Sequence, residues 1–403
     1  MKGALIQLIS RGKEDIPFIG NPQFSYFKSV HRSHSNFSTF QSKNIFITEV
    51  DFGKKATCII DKKGDLLKRM ELQFKLPATG NSLVSWINNT GNLMIQKVVL
   101  KIGGHEIVSL SGEYIDLYYK YSLDLGHYST YSTMTNRVTG YRENSLTGEQ
   151  FLIVPLPFWF TFHISKALPL LKLGHMDVTI DVHFKPLTDC LYSGADKSGL
   201  GGLVTLADLH IQDCFIYCDY IYLDKDERIA LLKKESIDYV IEQVQEDVFN
   251  ISDSQSNLNL SLEFNLNVKE LIWFYYSDYY RNLNRWEKYS IKSGVNEIAP
   301  FEYATLLFNG QDRFEKRNAE YFRLAQPLYH HQSSLSDFVY FYCFSNNCDS
   351  IIPSGTVNFS RIDQVNLQLE NDADIVSGII KIIAVNYNIL KIEKGMAGLL
   401  YSS

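Results

Sequence analysis

Six cysteines and ten histidines are the side chains in this chain best suited to bind a metal or to act as nucleophiles. Cys214 and Cys218 stand four apart on a probable strand, where they face the same side but lie too far apart along it to bridge each other. Zinc would need two more ligands at suitable spacing, and no obvious pair offers itself. With Cys58, Cys190, Cys343 and Cys348 scattered over 403 residues, the expectation is packed, reduced thiols in a chain that matures in the cytosol. His330 and His331 are adjacent, and on a strand they would point to opposite faces, unable to share one ion easily. His31 and His34 have loose ligand spacing but no Cys, His or Asp cluster nearby, so packing or hydrogen bonding explains them better. There is no HxH ligand set, no GxSxG elbow, no GxxxxGK phosphate loop and no GxGxxG after a strand. Gly199, Gly201 and Gly202 belong to a flexible connector, GADKSGLGG (194–202). No catalytic, cofactor-binding or metal-binding residue is assigned, no cofactor is expected, and the chain is read as a non-enzyme.

The elements around these residues say more. KVVLKIGGHEI (97–107) and ATLLFNGQDRF (304–314) each place an apolar run, a two-residue turn and a polar return strand in the same order. Gly103-Gly104 and Asn309-Gly310 both supply the positive φ that a tight primed hairpin turn requires. The two hairpins lie 310 − 104 = 206 residues apart, about half of 403, which points to a duplicated β module. Met70, Leu72, Phe74 and Leu76 alternate with polar residues, as do Met176 through Phe184 and Leu258 through Val268. A period of two puts one face on a core and one toward water, as an antiparallel sandwich strand needs. Helical periodicity of comparable length is almost absent, so the chain reads as all-β.

Composition bounds the class. Hydrophobic residues make up 45% of the chain, enough for one large core or two ordinary ones. Tyr 25 and Phe 25 favour strands and contact surfaces. Lys+Arg 39 against Asp+Glu 45 gives a net charge of −6, which argues against a nucleic-acid coat; no direct nucleic-acid partner is expected. Leu5, Ile6, Leu8 and Ile9 form a short apolar patch, but Arg11, Lys13, Glu14 and Asp15 follow at once, so it is not read as a signal peptide. The most apolar window, 379–385, contains Lys381 and reads as a buried strand rather than a membrane span. Sequons at Asn36, Asn88, Asn250, Asn259 and Asn358 are chance matches on this reading.

Between the halves, LDKDERIALLKKES (223–236) opens with Asp224 and Glu227 in capping-box spacing and ends on Lys233 and Lys234, where the helix dipole favours cations. The division that follows is an N-terminal arm (1–20), a first sandwich (21–223), a linker helix (224–236) and a second sandwich (237–403). Segments 126–150 and 277–300 read as long loops, the second carrying Tyr279, Tyr280, Arg281, Arg285 and Trp286.

GNPQFSYFK (20–28), HRSHSNF (31–37), DFGKK (51–55), VPLPFWF (154–160) with ALPLL (167–171), the YLDxxER helix start (222–228), FNGQDRF (308–314), QPLYHH (326–331), PSGTVNFSRID (353–363) and VNYNILKIEKGMAGLLYSS (385–403) follow in order along the whole chain. Together they resemble the major capsid protein of nucleocytoplasmic large DNA viruses. The resemblance implies a double jelly roll: two tandem eight-stranded antiparallel sandwiches joined by a short helix. It further implies a homotrimer with a six-lobed, pseudo-hexagonal outline, which meets neighbouring capsomers and tiles an icosahedral shell assembled in the host cytoplasm. The N-terminal arm would lie inward, near minor capsid proteins and an inner viral membrane, and segments 126–150 and 277–300 become candidate outward or inter-subunit surfaces. The tail varies at its small and terminal positions and the chain is short for the family, which leaves a related minor paralogue as an alternative.

WFYYSDYYRNLNRW (273–286) is the densest aromatic and Arg cluster, of the kind that anchors protein contacts. Equally, Trp273 and Tyr275 can be sandwich core and the rest ordinary loop. A second functional class remains, a carbohydrate-binding or adhesion β-sandwich in which Tyr279, Tyr280 and Trp286 stack on sugar rings.

Overall fold

The computed structural model describes residues 2–22, 33–138, 146–194, 200, 206–252, 255–294, 296–333 and 337–401. The chain forms two compact units, Met1–Phe37 and Ser38–Ser403. The first contains helix α1 (Lys2–Ile9), which buries none of its residues.

Sixteen principal strands build the second unit. The first eight are β1 (Phe37–Ile45), β2 (Lys55–Ile60), β3 (Leu66–Leu76), β4 (Ile95–Ile102), β5 (His105–Ser111), β6 (Gln150–Pro155), β7 (Val178–Phe184) and β8 (Gln212–Leu223). They form two four-stranded sheets, ordered β1-β8-β3-β6 and β2-β7-β4-β5. The next eight are β9 (Ser236–Ile251), β10 (Gln255–Leu262), β11 (Asn267–Ser277), β12 (Tyr303–Phe308), β13 (Gln311–Asn318), β14 (Val339–Cys343), β15 (Val365–Ile375) and β16 (Gly378–Glu393). Their sheets run β9-β16-β11-β14 and β10-β15-β12-β13. Adding eight to each strand number of the first half reproduces the second, so the two sandwiches share one jelly-roll connectivity. The duplication legible in the two hairpins is therefore a duplication of the whole fold.

Those hairpins are equivalent, joining β4 to β5 and β12 to β13 in antiparallel pairs. Their central residues take φ 61° and 85° at Gly103-Gly104 and φ 50° and 77° at Asn309-Gly310, as a type I′ turn requires.

The two longest helices of the first half are α2 (Gly112–Ser122), which directly follows β5, and α3 (Leu125–Met134). Helix α4 (Lys225–Lys233) joins the sandwiches, its N-terminus capped by the Asp224 carboxylate accepting from Lys225 N at 2.8 Å. Helix α3 corrects the reading of 126–150 as an irregular loop. It buries only Tyr131 and carries no apolar stripe, so its sequence offers no 3.6-residue period to detect; Asp124 caps it by accepting from His127 N at 2.9 Å. Residues 139–145 of that segment lie outside the described residues.

The interior explains why some strands alternate and others do not. On β11, Leu271, Trp273 and Tyr275 enter the core of the second sandwich. Ile272, Phe274 and Tyr276 on the opposite face enter a core continuous with the first sandwich. The same split holds for Tyr340 and Tyr342 against Val339 and Phe341 on β14, and for Ile380 and Ile382 against Ile383 and Val385 on β16. Along these three strands the sheet is buried on both faces, so they read as continuous apolar runs. On β10 the apolar residues Leu258, Leu260 and Leu262 are buried and Asn259 is exposed, which keeps the alternation.

Candidate functional site

What covers the second face of the β9-β16-β11-β14 sheet is the first sandwich, through α2 and β5. Ser111 caps α2 by accepting from Tyr114 N at 3.2 Å and also donates to the Glu246 carboxylate of β9. Gly112 lets the helix start against the preceding turn, since a Cβ there would stand 2.1 Å from Asn92 O and 2.4 Å from Ile95 O. Eight of the helix's eleven residues are buried, Glu113, Asp116 and Lys120 among them. Buried charge is tolerated only when paired, as Glu113 and Asp116 are.

The Glu113 carboxylate accepts from Lys185 Nζ at 2.8 Å and from Lys381 Nζ of β16 at 3.3 Å, and Lys381 also reaches Glu246 at 2.8 Å. Burial alone would raise the Glu113 pKa, but the two ammonium groups outweigh it and hold the carboxyl at about 2. Asp116 receives both Arg137 Nη1 contacts, at 2.8 and 2.6 Å, and Lys120 pairs with Asp337 of the second sandwich. Beyond α2, Lys269 Nζ bonds the Glu242 carboxylate at 2.8 Å and Cys348 O at 2.9 Å. Burial lowers the Lys269 pKa, and Glu242 with Glu270 reverses that, so it stays charged.

Apolar and polar contacts continue the seam. Tyr121 packs on Phe341 with ring centroids 4.5 Å apart, and Gln243 Nε2 donates to Ile107 O at 2.6 Å. Segment 277–300, read as a long loop, straps across the first sandwich: Asn284 Nδ2 donates to Thr188 O and Leu191 O at 2.6 and 2.7 Å, and Trp286 Nε1 donates to Asp189 O at 2.9 Å. It starts with helix α5 (Asp278–Asn282), capped by Ser277. Tyr280 is buried, Lys185 Nζ sits 4.6 Å from the Trp286 ring centroid, and Tyr279 alone of the three proposed sugar-stacking rings is exposed. They do not make an open aromatic platform. Trp273 and Tyr275 are core, as the plainer of the two readings had it.

The histidines and cysteines resolve differently from their sequence reading. His330 ends helix α6 (Gln326–His330) rather than lying on a strand, and His331 turns into the seam. There its Nε2 is 3.1 Å from Glu270 Oε2 and 3.9 Å from Cys343 Sγ, and its Nδ1 is 3.1 Å from Asp349 Oδ1. Burial lowers its pKa, but Glu270 and Asp349 outweigh that and carry it to about 10. Glu270, His331, Cys343 and Cys348 offer ligand atoms all within 4.8 Å of one another, the one such group among the described residues. The signal available in sequence was the Cys343-x4-Cys348 spacing next to a His pair; Glu270, 61 residues before His331, carried none. All six cysteines are free, with Cys214 and Cys218 unbridged. His34 is exposed, its Nδ1 2.7 Å from Ser35 O; His31, Gly199, Gly201 and Gly202 lie outside the described residues. Among the sequons, Asn36, Asn250, Asn259 and Asn358 are exposed, whereas Asn88 is buried and donates to Val138 O at 3.0 Å.

This geometry locks two like sandwiches into one body. Residues 25–224 match the family profile described as major capsid protein N-terminus, and residues 227–398 that of the large eukaryotic DNA virus major capsid protein. The major capsid protein of Pyramimonas orientalis virus is 33% identical over the full length of both chains. The chain belongs to the major capsid protein family of large eukaryotic DNA viruses. The major capsid protein of Paramecium bursaria Chlorella virus 1 is 29% identical, again over both full lengths. In the quasi-atomic description of the PBCV-1 virus capsid, a chain 25% identical superposes with a TM-score of 0.78, covering 94% of this chain and 100% of that one. The Faustovirus major capsid protein shares the fold with a TM-score of 0.77 at 11% identity, covering 97% and 96%. This capsid protein is a virion component, and its family is a structural one.

Proposed function

We propose that three copies of this capsid protein form a pseudo-hexagonal capsomer and that these capsomers tile an icosahedral shell. The observation that carries the reading is the identical connectivity of the two sandwiches within one body. Two like lobes fixed at one seam give, under threefold symmetry, six lobes of near-equal shape, and such an outline packs a flat lattice. The continuous core and the paired buried charges support a fixed angle between the lobes, since neither survives a hinge opening.

We divide the chain functionally as arm (1–20), first jelly roll (21–223), linker helix (224–236) and second jelly roll (237–403). Strand β1 begins at Phe37, so the segment ahead of the first sheet is longer than the arm itself. The arm's α1 exposes Leu5, Ile6, Leu8 and Ile9, which fits contact with minor capsid proteins and an inner membrane on the inward side. Assembly takes place in the host cytoplasm, where six free thiols persist. The chain acts as the major shell subunit and catalyses no reaction. Native mass measurement of the purified full chain tests this: a stable species of three chains is expected, and a monomer at micromolar concentration would refute it.

A further inference from the structure

The seam holds a cluster that the capsid role does not use. Glu270 leaves β11, His331 follows α6, Cys343 ends β14, and Cys348 sits in the turn beyond it. The side chains of Glu270 and His331 are 6% and 5% exposed, and both cysteines are buried. Glu270, His331 and Cys348 border a small cavity of about 20 Å³, also lined by Tyr118, Tyr121 and Asp349, which has room for one small occupant.

We propose that Cys343, Cys348, His331 and Glu270 form a structural site for a zinc-class divalent cation. Two thiolates, one imidazole nitrogen and one carboxylate oxygen are a tetrahedral zinc donor set, and Cys-x4-Cys is within the usual ligand spacing. Bond lengths of that ion put tetrahedral ligand atoms about 3.3–3.8 Å apart. His331 Nε2 already lies 3.1 Å from Glu270 Oε2 and 3.9 Å from Cys343 Sγ, so shifts of a few tenths of an ångström complete those edges.

The cluster's geometry and its second sphere point to an occupant. Glu270 Oε2 and His331 Nε2 face each other at 3.1 Å as a buried ion pair, so two of the four ligand atoms already converge on one point. His331 Nδ1 is anchored on Asp349, which also accepts from Ser122 Oγ of α2 at 3.1 Å. That second-sphere carboxylate is the arrangement that turns a histidine's Nε2 toward a metal. On binding, both thiol protons and the His331 Nε2 proton leave to solvent. The ion would tie β11, α6 and the turn after β14 together directly beneath α2, stiffening the seam.

The test is metal content and cobalt spectroscopy on the full chain, purified from a reducing cytosol with zinc present and passed through a chelator. The expected result is one zinc retained per chain, which cobalt replaces with the intense visible bands of a tetrahedral site and a thiolate charge-transfer band. A Cys343→Ser/Cys348→Ser variant should lose the ion, and a Cys214→Ser/Cys218→Ser variant should keep it. Because the cobalt spectrum is read on the unaltered chain, it stands even if the first variant fails to fold. Absence of retained metal together with a weak octahedral cobalt spectrum would overturn the proposal. So would a Cys343–Cys348 disulfide in the freshly purified chain, or undiminished metal in the first variant.

Discussion

Glu113→Gln asks whether buried charge, beyond apolar contact, holds the two sandwiches together. The carboxylate sits between Lys185 and Lys381, at 2.8 and 3.3 Å, and its pKa falls from 4.5 to about 2 on folding. A shift of roughly 2.5 units corresponds to about 3 kcal/mol of stability at neutral pH. The folded-state pKa is depressed, so this contribution is full above the unfolded value of 4.5 and shrinks as pH falls toward about 2. By pH 3 the unaltered chain has lost about 2 kcal/mol of it, while the variant has no such term to lose. Removing one partner of a buried ion cluster costs about 3–5 kcal/mol. Urea unfolding followed by tryptophan fluorescence should therefore show the variant less stable by about 3–5 kcal/mol at pH 7, with the gap narrowing by about 2 kcal/mol at pH 3. A gap under about 1 kcal/mol, or one independent of pH, would refute the reasoning.

Lys381→Met removes only the arm of that cluster contributed by the second sandwich and keeps an apolar stem in place. A loss of about 1–3 kcal/mol is expected, coupled to Glu113→Gln by at least about 1 kcal/mol in a double-mutant cycle. Trp273→Ala empties the centre of the second core and should cost about 3–5 kcal/mol, read as a lowered urea midpoint. Gly112→Ala drives a Cβ to 2.1 Å from a backbone carbonyl that cannot yield, so soluble yield should collapse, with a penalty above about 3 kcal/mol in any chain recovered.

What the sequence disclosed followed from periodicity and turn chemistry. Strands exposed on one face, such as β3 and β10, announce themselves by alternation, and both hairpins do so by residues tolerant of positive φ. The continuous runs of β11, β14 and β16 showed burial but not its cause, because nothing local distinguishes a sheet covered twice from one covered once. Helix α2 hid for the related reason that eight of its eleven residues are buried, charged ones among them, so burial does not follow the apolar residues. Helix α3 is mostly exposed and rich in Ser, Thr and Tyr, and was equally silent. The Glu270, His331, Cys343 and Cys348 cluster escaped because assigning His330-His331 to a strand turned the two rings apart, whereas the helix ending at His330 sends His331 inward. Its remaining ligand comes from a strand brought close only by the fold.

The central claim is that one seam fixes two like sandwiches into a block that three copies arrange as a hexagon. A threefold-averaged electron-microscopy reconstruction of the purified oligomer measures this directly. Six lobes are predicted, in three alternating pairs at near 60° spacing, an angle set by about sixfold pseudo-symmetry. A ring of another lobe count, or pairs of lobes at variable angles, would contradict it.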